Sequence, residues 1–287
     1  MARSIPPERP LDPMLLHVLR AVAEEAASSG INCMLVGATA RNILLTHVFG
    51  LPEGRATYDV DFAMAVSGWA QFERLKTGIS SRAGFSLGAA AQRLYYQDSS
   101  GGQPYPLDLV PFGGIASDQG EIVWPPDMAV VMSVVGYDEV FAAAEDVELG
   151  PGLMGRVASL PGLTVLKLIA WSERGRANPK DAHDLFQLMN SYADAGNAAR
   201  LYDTEYQLLE AAGHDPDLAG ACLLGKDIAR LCTAETCAVL KGVIDSQEES
   251  LARAMAGAIR HVEGAQERVK RSLQQFRAGL SMPLRPK

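Results

Sequence analysis

Cysteine is scarce. Cys33, Cys222, Cys232 and Cys237 are the only four in 287 residues, and no two form a C-x-x-C pair. That argues against a structural zinc site or a disulfide framework and leaves free thiols as core material. Long apolar runs are missing too. Nothing approaches the roughly 18 uninterrupted apolar residues of a membrane span, so no membrane partner is expected. The opening MARSIPPERPLDP has prolines and charges where a signal peptide has its apolar run, which makes the cytoplasm the expected location. Charge is plentiful but unevenly placed. From Arg253 to Lys287 there are eight Lys or Arg against two Glu, a net +6, while the other 252 residues hold 18 basic and 32 acidic groups, a net −14. An acidic body discourages nonspecific polyanion binding, and a basic tail either attracts it locally or is a solvated helix face. Hydrophobic residues at 48% and charged ones at 21% supply a core and exclude a disordered or fibrous chain. The length fits one large or two moderate domains.

Periodicity then divides the chain. Asp12-Pro13 is a cap-and-start pair, and Leu15, Val18, Leu19 and Val22 follow at helical spacing until Gly30. INCMLV reads as a buried strand ended by Gly37, TARNILLTHVF as a helix, and YDVDFAMAV as an alternating strand. A helix is expected over 69–82. QRLYYQ and YPLDLVPFG flank the turn-rich SSGGQP and read as a hairpin. Short strands and a small helix over 139–144 follow. From Leu160 onward only helical periodicity is left. The expected fold class is α+β, with an N-terminal mixed β-sheet domain and flanking helices over 1–158 and an all-α domain over 159–287.

The stretch TYDVDFAM carries the chemistry. On a strand, Asp59 and Asp61 share one face, with Tyr58, Val60, Phe62 and Met64 on the other. Two carboxylates in an apolar strand repel each other and resist ionisation when partly buried. A divalent cation relieves that cost, and hard oxygen ligands suit Mg²⁺ or Mn²⁺. Asp108, in PLDLVPF, lies on another apolar strand. If the two strands are neighbours, three carboxylates converge as two-metal nucleotidyl transfer requires. The competing account of D-x-D is a solvated strand face. Upstream, MLVGATARNILL places Gly37 at a strand-to-helix turn, where backbone N–H groups can approach a phosphate and Thr39 adds a hydroxyl.

The order LVGATAR, RATYDVDF, LDLVPF and LPGLTVLKLIAWSERGRANPKDAHDL resembles the DNA polymerase β-like nucleotidyltransferase superfamily. Within it, the chain is most similar to the AbiEii/AbiGii abortive-infection nucleotidyltransferases, the toxin halves of some bacterial toxin–antitoxin pairs. The resemblance covers the chain to about Leu231. It implies transfer of a nucleoside monophosphate from an NTP to an acceptor hydroxyl, with two Mg²⁺ (or Mn²⁺) ions on the catalytic Asp59, Asp61 and Asp108. Gly37, Ala38, Thr39, Arg41, Lys167, Lys180 and Asp181 are the implied nucleotide-binding residues. RNA such as a tRNA 3′ end and an antitoxin protein are the implied partners. Transfer to a small molecule such as an aminoglycoside, or a noncatalytic nucleotide-binding module, are the alternatives.

There are departures from the pattern. Ala38 stands where the superfamily has Gly or Ser, which removes a side-chain phosphate contact. Asn42 stands where the similar GG-x-VRD-x-LL element of CCA-adding tRNA enzymes has Asp. Other residues have two readings. Lys167 and Arg174, seven apart, can face one side of a helix. Asn178, Pro179 and Asp181 suit capping as well as catalysis. Arg41 suits a phosphate or an acidic partner, and His183 suits packing better than ligation.

Overall fold

The first helix shows how closely the local rules are followed. In the computed structural model, α1 (Pro13–Ser28) starts where the Asp12 carboxylate accepts from the backbone N–H of Met14 at 2.8 Å and Leu15 at 3.2 Å. A cap of this kind contributes about 1 kcal/mol. Leu15, Val18, Leu19, Val22 and Ala26 form its buried stripe. The structure describes residues 2–54, 57–175 and 178–282. Arg285 and Lys287 of the basic tail, and the motif positions Arg55, Ala56, Arg176 and Ala177, lie outside the described residues.

The chain divides into two compact units, 1–159 and 160–287. In the first, β1 (Arg3–Ser4) precedes α1, and β2 (Asn32–Val36) runs directly into α2 (Gly37–Asn42). The expected single helix here changes winding: α2 gives way to a π-helical segment, Ile43–Val48. Then come β3 (Val60–Ala65), α3 (Trp69–Ser80), β4 (Phe85–Leu87), β5 (Arg93–Tyr96) and β6 (Tyr105–Phe112). β7 (Glu121–Trp124) and β8 (Val130–Ser133) form a separate ribbon. The small helix α4 spans Tyr137–Ala142, slightly earlier than expected, and β9 (Glu145–Gly150) and β10 (Leu153–Val157) close the unit.

Among the described residues the main sheet has eight strands in the order β1-β9-β10-β2-β3-β6-β5-β4. It is mixed: β3 runs parallel to β6 and antiparallel to β2, and β5 runs antiparallel to β6. Leu35 and Phe62, paired across β2 and β3, line a cavity of about 310 Å³ together with Leu19, Ala23 and Ala26 of α1. This face of the sheet is therefore the one α1 covers. Alternation along β3 puts Asp61 on the opposite face.

The second unit is all helix, as the periodicity indicated. It comprises α5 (Leu160–Arg174), α6 (Lys180–Ser191), α7 (Ala198–Tyr202), α8 (Tyr206–Ala211), α9 (Pro216–Leu231), α10 (Ala234–Ala258) and α11 (Ala265–Leu280). Helix α9 packs most extensively against α11. Gly279 and Gly225 allow this approach, because a Cβ on Gly279 would stand 1.9 Å from the Cys222 carbonyl oxygen. All four cysteines are free thiols. Among the described residues no helix is long and apolar enough to cross a membrane.

Candidate active site

Gly37 closes β2 with φ +69°, a left-handed conformation that costs a side-chain-bearing residue about 1–2 kcal/mol. Space forbids a side chain there as well. A Cβ on Gly37 would stand 2.1 Å from Asp61 Oδ2 and 2.8 Å from its Cγ. The room the glycine opens is taken by the Asp61 carboxylate, which lies against the backbone where α2 begins. Ala38 and Thr39 are buried. The Thr39 hydroxyl donates to the Asp59 carbonyl at 2.7 Å, so its proton pins the segment entering β3. Arg41 is fully buried, at 1% exposure, and donates from Nε and Nη2 to Asn42 Oδ1 at 3.1 and 2.8 Å.

Register places the acids. Asp61 pairs with Val36 of β2 on one side and Asp108 of β6 on the other. In-register residues of neighbouring strands share a face, about 4.8 Å apart along the hydrogen-bonding direction. Asp59 differs from expectation. It lies before the first residue of β3, and its Oδ1 accepts from the Thr57 hydroxyl. Tyr58, expected on the opposite strand face, lies ahead of the strand too and is 74% exposed. Burial, with the negative charges of Asp12 and Asp59, pushes the nearby Tyr105 phenol up.

The reading of the residues missed Arg93. It sits on β5 directly opposite Asp108. Its Nη2 donates to Asp108 Oδ2 at 2.6 Å and its Nε to Oδ1, so both carboxylate oxygens are engaged. Hydrogen bonding to Asp108 holds the guanidinium above its ordinary range, against the opposing effect of burial. Among the described residues, no group of three or more His, Cys, Asp or Glu side chains is arranged to hold a metal ion. The donor set of Asp59 and Asp61 fits a hard divalent ion, which commonly takes one or two carboxylates from the protein. Asp108, committed to Arg93, does not fit in this arrangement. The hairpin register of QRLYYQ against PLDLVPF was the signal that would have found Arg93.

In the helical unit, Lys167 Nζ lies 2.9 Å from Asp181 Oδ1 and 2.8 Å from Asp184 Oδ2. Arg174 Nε reaches Asp181 Oδ2 at 2.8 Å. Both aspartates are 1% exposed. Burial alone would depress the Lys167 amine, but Asp184 and Asp181 hold it above its usual range. Burial would likewise raise Asp181, yet Arg174 and Lys167 hold it below the usual carboxylate range. The side-chain oxygen of Asn178 accepts from the Lys180 backbone at 3.1 Å just ahead of α6, whose cap position is Pro179, and Lys180 itself is exposed. His183 packs near Gly257.

A family profile described as nucleotidyl transferase AbiEii toxin of type IV toxin–antitoxin systems matches residues 20–279. This chain belongs to that family. The AbiEii match makes it a nucleotidyltransferase and extends past Leu231, so α10 and nearly all of α11 are family structure as well. A comparison with curated protein sequences returns no match. Among solved structures, the antibiotic-resistance factor ANT(2″)-Ia is 13% identical with a TM-score of 0.36, over 71% of this chain and 99% of that one. The Thermotoga maritima CCA-adding enzyme complexed with tRNA is 14% identical with a TM-score of 0.26, over 96% and 80% of the two chains. A CCA-adding enzyme with ATP is 13% identical with a TM-score of 0.26, over 95% and 82%. Likenesses this distant carry no argument about the AbiEii chain's substrate.

Proposed function

We propose that this AbiEii-family chain transfers a nucleoside monophosphate from an NTP to a hydroxyl of an RNA, such as a tRNA 3′ end, and acts in the cytoplasm as the toxin of a pair that includes an antitoxin protein. The observation that carries the reading is the packing of the Asp61 carboxylate against Gly37 at the start of α2, with Asp59 tied to the same helix through Thr39. Those contacts fix the Asp61 carboxylate beside the Gly37 turn and hold the backbone of Asp59 to α2.

Asp59 and Asp61 are the carboxylates that would hold Mg²⁺ or Mn²⁺. Such an ion, when bound, supplies charge neutralisation and helps an acceptor hydroxyl lose its proton. A second ion needs a further ligand, and Asp108 becomes one only when Arg93 lets it go. The backbone around Gly37, Ala38 and Thr39 orients the triphosphate. Arg41, buried beneath that turn, holds it in shape. In the helical unit Lys180 is an exposed cation at the start of α6, while Lys167 and Asp181 tie α5 to α6. Little covalent chemistry is left for the protein, so positioning and electrostatics do most of the catalysis.

Exposed Lys270 and Arg271 on α11 support an RNA acceptor. Arg268 contributes less, because Asp217 and Asn190 engage it at 2.6 and 2.9 Å. The acidic body, net −14 outside the tail, favours a second reading in which the acceptor is a small cation such as an aminoglycoside. Incubation with Mg²⁺ and each labelled NTP, offering total RNA or aminoglycosides, separates the two, with Asp61→Ala as control. Label on RNA that disappears in the variant supports the proposal. Label on the drug alone favours the second reading. Nucleotide binding without transfer, indifferent to Asp61, would leave a noncatalytic module.

A further inference from the structure

We infer that Arg93 is a positioning residue that holds Asp108 out of the divalent-ion shell, leaving Asp59 and Asp61 as the carboxylates that take the ion. The inference rests on the proposed reading of Asp59 and Asp61 as ion ligands and deepens it. Its basis is geometric. Arg93 and Asp108 are directly paired residues on antiparallel β5 and β6, and the guanidinium fork covers both oxygens of the carboxylate. A planar fork suits a carboxylate in a way a single ammonium does not. A metal ligated at about 2 Å by either oxygen would stand close to that cation and be repelled by it. The two groups therefore compete for the same atoms.

Arg93 is also anchored from behind. Its backbone N–H donates to the Ala90 carbonyl at 2.9 Å, and its carbonyl accepts from Gly88 at 2.8 Å. Gly88 clears space for the side chain, since a Cβ there would stand 2.5 Å from Arg93 Cγ and 2.9 Å from its Cβ. The Arg93 and Asp108 side chains are 28% and 14% exposed, so water screens the pair only in part. The turn before β5, the strand register and the glycine all serve to aim one cation at one carboxylate.

The test is Mn²⁺ binding to the full chain, followed by the electron paramagnetic resonance of the free ion. Arg93→Gln should tighten binding about tenfold, as expected when a carboxylate joins the ligand set. Asp108→Asn in that background should abolish the gain, while Asp108→Asn alone should stay within about twofold of the unaltered chain because the residue is not a ligand there. No gain in Arg93→Gln, or a single Asp108→Asn that weakens binding about tenfold or more, overturns the inference. Should Arg93→Gln fail to fold, Arg93→Met removes the charge and the fork while keeping an unbranched stem. An Asp108-dependent gain in that variant supports the inference and no gain overturns it. Failure of the underlying reading looks different. The unaltered chain then takes up no Mn²⁺ and Asp61→Asn changes nothing, while an Asp108-dependent gain in Arg93→Gln still decides the role of the pair.

Discussion

The two units treat charge differently. In the helical unit Lys167 and Arg174 meet Asp181 and Asp184, two cations against two anions, with the aspartates almost wholly shielded. In the sheet unit Asp61, Asp108 and Arg93 form a row across three strands, two anions and one cation, each set by register. The first arrangement ties α5 to α6. In the second, one cation is matched to one carboxylate while another carboxylate is pressed against a glycine turn. Charge buried between helices serves as a lock, and carboxylates set in register across a sheet serve as candidate cation ligands.

The largest effect should come from the sheet row. Asp61→Asn keeps the side chain's shape beside Gly37 but removes its charge, and should lower label transfer about a thousandfold. Transfer that survives the change would break the contrast at its stronger end. Next comes the lock: Lys167→Met leaves two buried carboxylates without their shared amine and should cost about 3 kcal/mol of stability. Urea denaturation measures it, and adding Asp184→Asn should restore part of the loss. Gly37→Ala forces a strained backbone and displaces Asp61, for about 2 kcal/mol and a fall in transfer, both readable on one preparation.

The lock should also show a pH signature. Asp181 is held below its unfolded value, so its contribution is present above the ordinary carboxylate range near pH 4 and is lost as pH falls through it. Lys167 is held above its usual range, so its contribution fades only as pH rises past about 10. Stability followed as pH falls below about 4 should decline less in Asp181→Asn than in the unaltered chain; parallel curves would assign the acid sensitivity elsewhere. The smallest effect is expected at the surface. Changing Lys270 and Arg271 to Gln should reduce the salt slope of RNA binding by about two, and an unchanged slope would remove α11 from the acceptor site.

Much of this was readable along the chain. Helical spacing set Lys167 and Arg174 on one side of α5, while α6 opens one residue later than Asn178 and Pro179 suggested, with Pro179 at the cap position. Gly37 and the D-x-D announced the sheet site, because a glycine turn and paired carboxylates are local patterns. Three details were not local. Asp59 precedes β3, since the strand begins where pairing with β6 begins, at Val60 opposite Leu107. The widening of α2 into a π-helical segment left no trace in its composition. Arg93 was one more polar residue in QRLYYQ until the hairpin aligned it with Asp108.

The amino-acid sequence by itself determined the α+β division, the helix starts and the presence of an acidic strand, because capping, periodicity and alternation act over a few neighbouring residues. The tertiary structure alone decided which carboxylate lies against the glycine turn and which is claimed by an arginine. Those choices depend on strand order and register, which join residues 15 to 47 positions apart. Electrostatic energy falls with distance in space, and only folding sets that distance.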